Sequence, residues 1–263
     1  MTYQGKTVWI TGASSGIGEQ LAYAWTKAGA KVILSSRRRE SLEAVKANCP
    51  AGSVLDIVPI DMAQYRTLTG IVQSVILKHG HIDILVNNAG VSQRALVKDT
   101  TLEVDEQLIQ TNYLGTIALT KAVLPFMLER GSGHFVTITS LTGKFGSPLR
   151  SSYAGSKHAL HGFFDSLRAE VNKHGVGVTL ICPGYIRTNV SINALTGSGA
   201  PQNTMDEATG QGMDPADLAQ KILKAVAKGK LEAYFGGKEV LGVYIKRLFP
   251  NWFAGIIEKT KVT

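Results

Sequence analysis

Short apolar runs rich in β-branched residues recur along the chain, at residues 6–10, 31–36, 54–60, 82–87, 134–139 and 177–182 and, more weakly, at 231–235. Between them lie stretches in which apolar residues return every three or four positions. Leu21, Ala22, Trp25 and Ala28 follow the first run, and Ala159, Leu160, Phe163, Phe164 and Leu167 follow the fifth. A continuous apolar run bounded by turn residues predicts a strand buried on both faces, and the 3.6-residue spacing predicts an amphipathic helix. Strands alternating with helices demand right-handed crossovers, so the pattern predicts an α/β fold with a doubly wound, seven-stranded parallel sheet covered by helices on both faces. In such a sheet ligands bind at the carboxyl ends of the strands. The pattern does not fix the strand order.

Two long helical stretches, about 101–130 and 151–174, carry apolar residues on more than one face, Ile117, Leu119, Val123, Phe163, Phe164 and Leu167 among them. Surplus apolar surface of this kind predicts burial between subunits of a homodimer or homotetramer. The segment 185–214 is instead poor in apolar residues and contains Gly197, Gly199, Pro201, Gly210 and Gly212, which predicts a mobile lid.

The length of 263 residues suits a single domain spanning 1–263, because no linker, repeat or low-complexity tract interrupts it. The leader from Met1 to Lys6 has no apolar core, and no stretch is apolar enough to span a bilayer, so a cytoplasmic protein is expected. Cys49 and Cys182 are too few for a disulfide framework, and neither they nor the six histidines have metal-ligand spacing, so no metal is expected. The net charge of +8 is concentrated at the C-terminus. Residues 221–263 hold nine basic side chains, Lys261 among them, against Glu232, Glu239 and Glu258, a net of +6. No nucleic-acid recognition motif accompanies the charge, so nucleic acid is not expected as a partner. In the extension at about 238–263 the basic residues are interleaved with Leu241, Tyr244, Leu248, Phe249, Trp252 and Ile256. That stretch either packs on the lid or another subunit or associates weakly with a membrane surface.

The candidate chemistry follows the predicted strands. Thr11-Gly12-Ala13-Ser14-Ser15-Gly16-Ile17-Gly18 separates a strand from a helix, an arrangement that turns unpaired N–H groups and a positive dipole end toward a phosphate. Its glycine spacing, G-x-x-x-G-x-G, departs from G-x-G-x-x-G. After the second strand stand Ser36, Arg37, Arg38 and Arg39 where an NAD-binding fold would carry an acid for the ribose 2′-hydroxyl. Guanidinium groups bind a 2′-phosphate bidentately, so the cofactor expected is NADP(H), held by Arg37 and Arg38 rather than Arg39, which is read as the start of a solvated helix. Tyr153 and Lys157 fall four apart on a predicted helix and therefore on one face. An ammonium beside a phenol favours the phenolate and lowers a pKa that otherwise lies near 10. On an exposed helix such a pair is ordinary decoration, and the N-terminal glycine motif is what changes its meaning.

Taken together, the glycine motif, Asn87-Asn88-Ala89-Gly90, Ser140, Tyr153-x3-Lys157 and Pro183-Gly184-x3-Thr188 resemble the short-chain dehydrogenase/reductase family, in order over nearly the whole chain. Residues 9–23, 91–96 and 112–115 further resemble its member 7-like branch. Proteins of that branch carry a membrane anchor ahead of the glycine motif, and here the anchor is expected to be missing. The resemblance implies a Rossmann-like fold with strand order 3-2-1-4-5-6-7, and a four-helix subunit interface. It implies that Tyr153 is the general acid/base, that Ser140 holds the carbonyl oxygen, that Lys157 lowers the Tyr153 pKa and holds the nicotinamide ribose, and that Asn112 supports a proton-supplying water chain. Read alone, Asn112 could bond its own helix backbone and Ser140 could be a polar strand end. Gly12, Ser14, Ser15, Gly16, Ile17 and Gly18 are expected around the diphosphate, Asp61 and Met62 at the adenine, and Asn88, Ala89 and Gly90 at the adenosine ribose. Asn87 is read as structural, and Pro183, Gly184, Ile186 and Thr188 complete the cofactor contacts. The expected activity is NADPH-dependent reduction of a small carbonyl compound, or oxidation of the corresponding secondary alcohol. The alternative is a catalytically silent NADP(H)-binding regulatory or scaffold protein. For the substrate, Leu141, Phe145, Leu149 and Tyr185 are expected to face it, with Gln93 and Arg94 on the opposite rim. The mixture fits a moderately apolar carbonyl, with steroid- or retinoid-like compounds implied by the resemblance.

Overall fold

The computed structural model describes residues 3–260; residues 1–2 and 261–263, which include the start of the leader and Lys261, lie outside the described residues. Along the chain run β1 (Thr7–Thr11), α1 (Gly16–Lys27), β2 (Lys31–Ser35), α2 (Arg39–Ala47), β3 (Leu55–Ile57), α3 (Leu68–His79) and β4 (Ile84–Asn87). There follow α4 (Leu102–Ile109), α5 (Gly115–Arg130), β5 (Gly133–Ile138), α6 (Ser151–Val171), β6 (Val176–Pro183), the single turn α7 (Glu207–Gly210), α8 (Pro215–Ala227), β7 (Glu232–Phe235), α9 (Leu241–Leu248) and α10 (Pro250–Glu258). The strands form one parallel sheet in the order β3-β2-β1-β4-β5-β6-β7. Between β1 and β4 the winding reverses, which opens a crevice beyond the carboxyl ends of the strands.

Alternation within the runs explains why both faces are apolar. Val8, Ile10, Val32, Leu34 and Val86 pack with Leu21, Trp25, Leu218 and Ile222 on one side. Trp9, Ile33, Leu85 and Phe135 point to the other, against Val72, Leu119, Val123, Leu160 and Phe164. Trp9 can be interior because its indole donates to Ser35 Oγ at 2.8 Å. The third strand is shorter than its apolar run, which spans 54–60. Pro59 has no N–H for the ladder, and β3 lies at the sheet edge, where a partial strand costs little.

The expected helix at about 101–130 is interrupted. After Ile109 the chain widens into a π-helical stretch, Gln110–Leu114, before α5 begins at Gly115. A Cβ on Gly115 would stand 2.4 Å from Met62 O, so only glycine allows this approach. The helix expected at 151–174 is α6, closed by Gly175 in the left-handed region (φ 71°).

The segment 185–214, expected to be a mobile lid, is packed down: Ser191, Ala194, Leu195, Asp206 and Thr209 are buried. Arg94 holds it, donating through Nε (2.9 Å) and Nη2 to Asp206 Oδ2, and Arg150 Nη2 lies 3.5 Å from the same oxygen. Burial alone would raise the Asp206 carboxyl; hydrogen bonds from Arg94 and Gln202 and the two guanidinium charges outweigh it and hold the pKa below the usual carboxylate range. Such a group contributes stability above the unfolded carboxylate pKa, and the contribution is lost as pH falls through the lower folded value. Asp206→Asn removes the buried carboxylate that Arg94 and Arg150 share and is expected to cost about 3–5 kcal/mol in a denaturant melt at neutral pH. A loss under about 1 kcal/mol would show that the pair is solvent-screened.

The C-terminal helices sit on the chain itself. Phe253 of α10 stacks edge-on to Phe145 with centroids 5.1 Å apart, in a cluster with Leu141 and Cys182. No helix among the described residues is long and apolar enough to cross a membrane.

Candidate active site

The crevice is a cavity of about 710 Å³ at the carboxyl ends of β1, β2, β4, β5 and β6. Its floor is two turns tied together. Thr11 Oγ1 accepts from Asn88 N and Ala89 N, both at 3.0 Å, and Asn88 Nδ2 donates to Thr11 O (2.9 Å) and Gly12 O (3.2 Å). Gly12 (φ 64°) could bear no Cβ, which would lie 2.8 Å from Ala89 Cα. Ser14, Ser15, Gly16 and Ile17 line the wall at the start of α1, and Ser15, the N-cap, offers no side-chain cap to the first turn. Those first N–H groups therefore remain available to an anion. Gly18 does not line the cavity as expected. A Cβ there would lie 2.2 Å from Gly12 O, so this glycine serves the packing of α1 against the turn.

Ser36, Arg37 and Arg38 line the end of the cavity beyond β2, and both arginines are exposed. Arg39 opens α2 and pairs with Glu43 at 3.5 Å. Asp61 and Met62 line the wall, with Asp61 Oδ1 accepting from Ala63 N at 3.0 Å. Asn88, Ala89, Gly90, Pro183, Gly184, Ile186 and Thr188 line it as well. Asn87 points inward, its Nδ2 donating to Thr120 Oγ1 at 3.0 Å, which is a structural role.

Ser140, Tyr153 and Lys157 meet at the other end. Ser140 caps the turn after β5, where its Oγ accepts from Thr142 N at 3.1 Å, and it hydrogen-bonds Tyr153. Desolvation raises the phenol pKa above its ordinary value, opposed by the Arg150 charge, the Ser140 hydrogen bond and the Arg94 charge. Lys157, expected to supply a positive charge beside the phenol, stands next to it. Its Nζ lies 5.8 Å from the Tyr153 ring centre and donates to Ile138 O at 2.9 Å. Burial lowers its own pKa to about 8. Asn112 sits in the π-helical stretch behind the wall, fully buried, and bonds another segment rather than its own helix. Its Oδ1 accepts from Val91 N (2.8 Å), while Nδ2 donates to Val91 O (2.9 Å) and Ser156 Oγ (3.0 Å).

Of the residues expected to face a substrate, Tyr185 lines the cavity and Arg94 stands with it, whereas four others turn away. Phe145 and Leu141 are buried under α10. Gln93 is fully buried and caps α6, its Oε1 accepting from Ser152 N (2.9 Å) and Tyr153 N (3.2 Å). Leu149, left-handed at φ 64°, gives its carbonyl to Ala95 N at 3.1 Å and does not line the cavity. In their place stand Gln107, Thr111, Asn189, Asn193 and Arg150, the last with its guanidinium 5.6 Å from the Tyr185 ring centre. The sequence signalled Arg150 only by its place one residue before α6.

His161, Cys182 and Glu232, far apart in sequence, bring ligand-type atoms within 4.8 Å of one another. Lys144 Nζ, 2.7 Å from Glu232, already supplies that carboxylate's positive partner.

A doubly wound parallel sheet with an uncapped helix start after β1 and a serine, a tyrosine and a lysine gathered beyond β5 defines a dinucleotide-binding fold of the oxidoreductase class. Residues 6–198 match the family model described as short chain dehydrogenase, and the chain belongs to that family. It is similar to a dehydrogenase/reductase SDR family protein 7-like of Anopheles gambiae, with 46% identity across 97% of this chain and 83% of that protein. Among solved structures, a short chain dehydrogenase/reductase from Burkholderia phymatum in complex with NAD superposes with a TM-score of 0.83 at 21% identity, covering 96% of each chain. A gluconate 5-dehydrogenase from Burkholderia cenocepacia in complex with NADP and tartrate does so with 0.78 at 24% identity, covering 90% of this chain and 95% of that one. These two likenesses establish the fold.

Proposed function

We propose that the protein is an NADP(H)-dependent oxidoreductase that interconverts a small carbonyl compound and its secondary alcohol, with Tyr153 as proton donor and acceptor. The observation that carries this is one cavity with Ser140, Tyr153 and Lys157 at one end and Arg37 and Arg38, with no carboxylate between them and β2, at the other. The fold neighbours carry NAD in one case and NADP in the other, so the residues after β2 decide between them.

The walls fit a dinucleotide. Gly12 and Gly16, both at positive φ, keep the backbone bare where a Cβ would crowd Ala89 and Thr188. Ser14 to Ile17 and Thr188 would hold the diphosphate, Arg37 and Arg38 the 2′-phosphate, Asp61 and Met62 the adenine, and Asn88, Ala89 and Gly90 its ribose. Lys157 would hold the second ribose, beside Pro183, Gly184 and Ile186. When bound, the nicotinamide supplies the hydride. Tyr153 Oη gives the substrate oxygen its proton, and Ser140 Oγ donates a hydrogen bond to the same oxygen as negative charge develops there. Asn112 pins Val91 against α6 and keeps Gly90 close to Lys157: a Cβ on Gly90 would stand 3.1 Å from Asn112 Oδ1 and 3.6 Å from Lys157 Nζ.

The substrate end is walled by Arg94, Gln107, Thr111, Arg150, Asn189 and Asn193 together with the apolar Val91, Val190 and Leu195, a mixture that fits a moderately apolar carbonyl carrying a polar group. A half-buried Phe163 on α6 and Phe126 on α5 support a homo-oligomer joined through these helices. The test is consumption of reduced cofactor against a panel of short ketones and aldehydes, with Tyr153→Phe as control; a panel without turnover by the wild type sinks the reading.

The buried ammonium gives a separate check. A lysine whose pKa falls from 10.5 to about 8 on folding destabilises the fold below pH 8, and the penalty fades as pH rises toward 10.5 because the unfolded chain then binds more protons. At ~1.4 kcal/mol per pH unit the penalty is roughly 3 kcal/mol, less about 1 kcal/mol for the hydrogen bond to Ile138 O. Lys157→Met is therefore expected to be inactive yet more stable by about 1–2 kcal/mol at pH 7, with the gain shrinking by pH 10. A Lys157→Met protein that melts below wild type at pH 7 contradicts this account.

A further inference from the structure

Each C-terminal helix carries two apolar stripes. The inner one, Val243, Ile245, Phe253 and Ile257, packs on Leu141, Phe145 and Cys182. The outer one is Leu241, Tyr244 and Leu248 on α9, and Phe249, Trp252 and Ile256 at and along α10, each set at i, i+3, i+7. Among the described residues these are six of the fourteen large apolar side chains that stand exposed, with Leu248 at 68% and Trp252 at 61%. A concentration of this kind on sixteen consecutive residues marks an interaction face rather than scattered surface apolarity.

The charges around the face choose its partner. Lys238, Lys246, Arg247 and Lys259 are exposed on this hairpin, against Glu258 alone, because Glu239 is half-buried and accepts from Tyr185 N at 3.2 Å. A two-fold contact with a second copy would set these cations against their own images, which is repulsive. An anionic lipid surface complements them, and Trp, Tyr and Phe beside Lys and Arg are the side chains that settle at a bilayer interface. We infer that the α9–α10 hairpin docks the protein, by its outer apolar stripe and basic flank, onto membranes rich in anionic phospholipid. The stripe enters the headgroup boundary and does not span it. The Glu239 contact to Tyr185 ties the hairpin to the cavity wall, so docking also fixes how the cavity faces the bilayer.

Trp9 and Trp25 are fully buried and Trp252 is exposed, so a change in tryptophan emission on docking reports Trp252. The full chain is mixed with vesicles of phosphatidylcholine containing about 30% phosphatidylserine at low ionic strength. Co-sedimentation and a blue shift of emission are expected, with binding at least about tenfold weaker to phosphatidylcholine alone or at high salt. Leu248→Glu/Phe249→Glu, which keeps Trp252, and Lys246→Glu/Arg247→Glu are each expected to weaken binding at least about tenfold while melting near wild type. Wild type that stays in the supernatant with unchanged emission overturns the inference. So does Leu248→Glu/Phe249→Glu lowering the molar mass by light scattering without lipid, which would assign the face to a second copy.

Discussion

Tyr153→Phe is expected to lower carbonyl reduction at least about a thousandfold while changing NADPH affinity by less than about threefold. The substitution removes one oxygen and keeps the ring, so the packing over Lys157, whose Nζ is 5.8 Å from the ring centre, is retained. What is lost is the proton that the substrate oxygen needs as charge accumulates on it. Neither neighbour replaces it: Ser140 can donate a hydrogen bond but is too weak an acid to give up its proton, and the Lys157 ammonium donates to Ile138 O at 2.9 Å, behind the phenol. The phenol is held protonated by desolvation, against the pull of Arg150, Ser140 and Arg94. Those three contributions make the phenol a better proton donor than burial alone would leave it. Steady-state turnover and cofactor fluorescence, measured on one preparation, separate the two effects. A Phe variant within tenfold of wild type would move the acid elsewhere, and one that also fails to bind NADPH would make Tyr153 a cofactor-holding residue first.

How far the chain's chemistry could be read before folding depended on whether a role is local. The floor of the cavity was legible because a strand, a glycine turn and a helix are consecutive, and the sheet order followed from the family resemblance once the strands had been counted. The substrate end was not, because the directions of side chains there are set by elements distant in sequence. Phe145 sits five residues beyond Ser140 and looked like a wall of the site, but the aromatic ring of Phe253 from α10 draws it to the opposite side. Gln93 looked like a polar rim residue; it is consumed in capping the helix that carries Tyr153. Lys157 shares a face with Tyr153 as its spacing dictates, but its hydrogen bond to Ile138 O at 2.9 Å depends on a strand distant in sequence. The Arg150 and Arg94 charges also bear on the phenol, a role visible only when residues 94, 150, 153 and 206 are brought together.

Arg37→Glu/Arg38→Glu is expected to weaken NADPH binding at least about a hundredfold and to change NADH binding by less than about fivefold, inverting the preference. Each guanidinium that meets a phosphate bidentately contributes roughly 1.5–3 kcal/mol, and carboxylates in their place add repulsion of the same dianion. The two cofactors differ only in that phosphate, so the ratio of their affinities isolates the contact from any general damage to the fold. Both arginines are exposed, and the variant should melt with the wild type. Because the contact lies at the open end of the cavity, the NADPH advantage of the wild type should also shrink as salt is raised, whereas NADH binding should respond less. Arg39 serves as the internal control: it opens α2 beside Glu43, and Arg39→Glu should leave the ratio near its wild-type value. Equal losses for both cofactors would place the arginines on the diphosphate shared by the two molecules. An unchanged ratio would reduce them to the solvated start of a helix, and the choice of cofactor would then pass to Ser36, the remaining residue of that wall beyond β2.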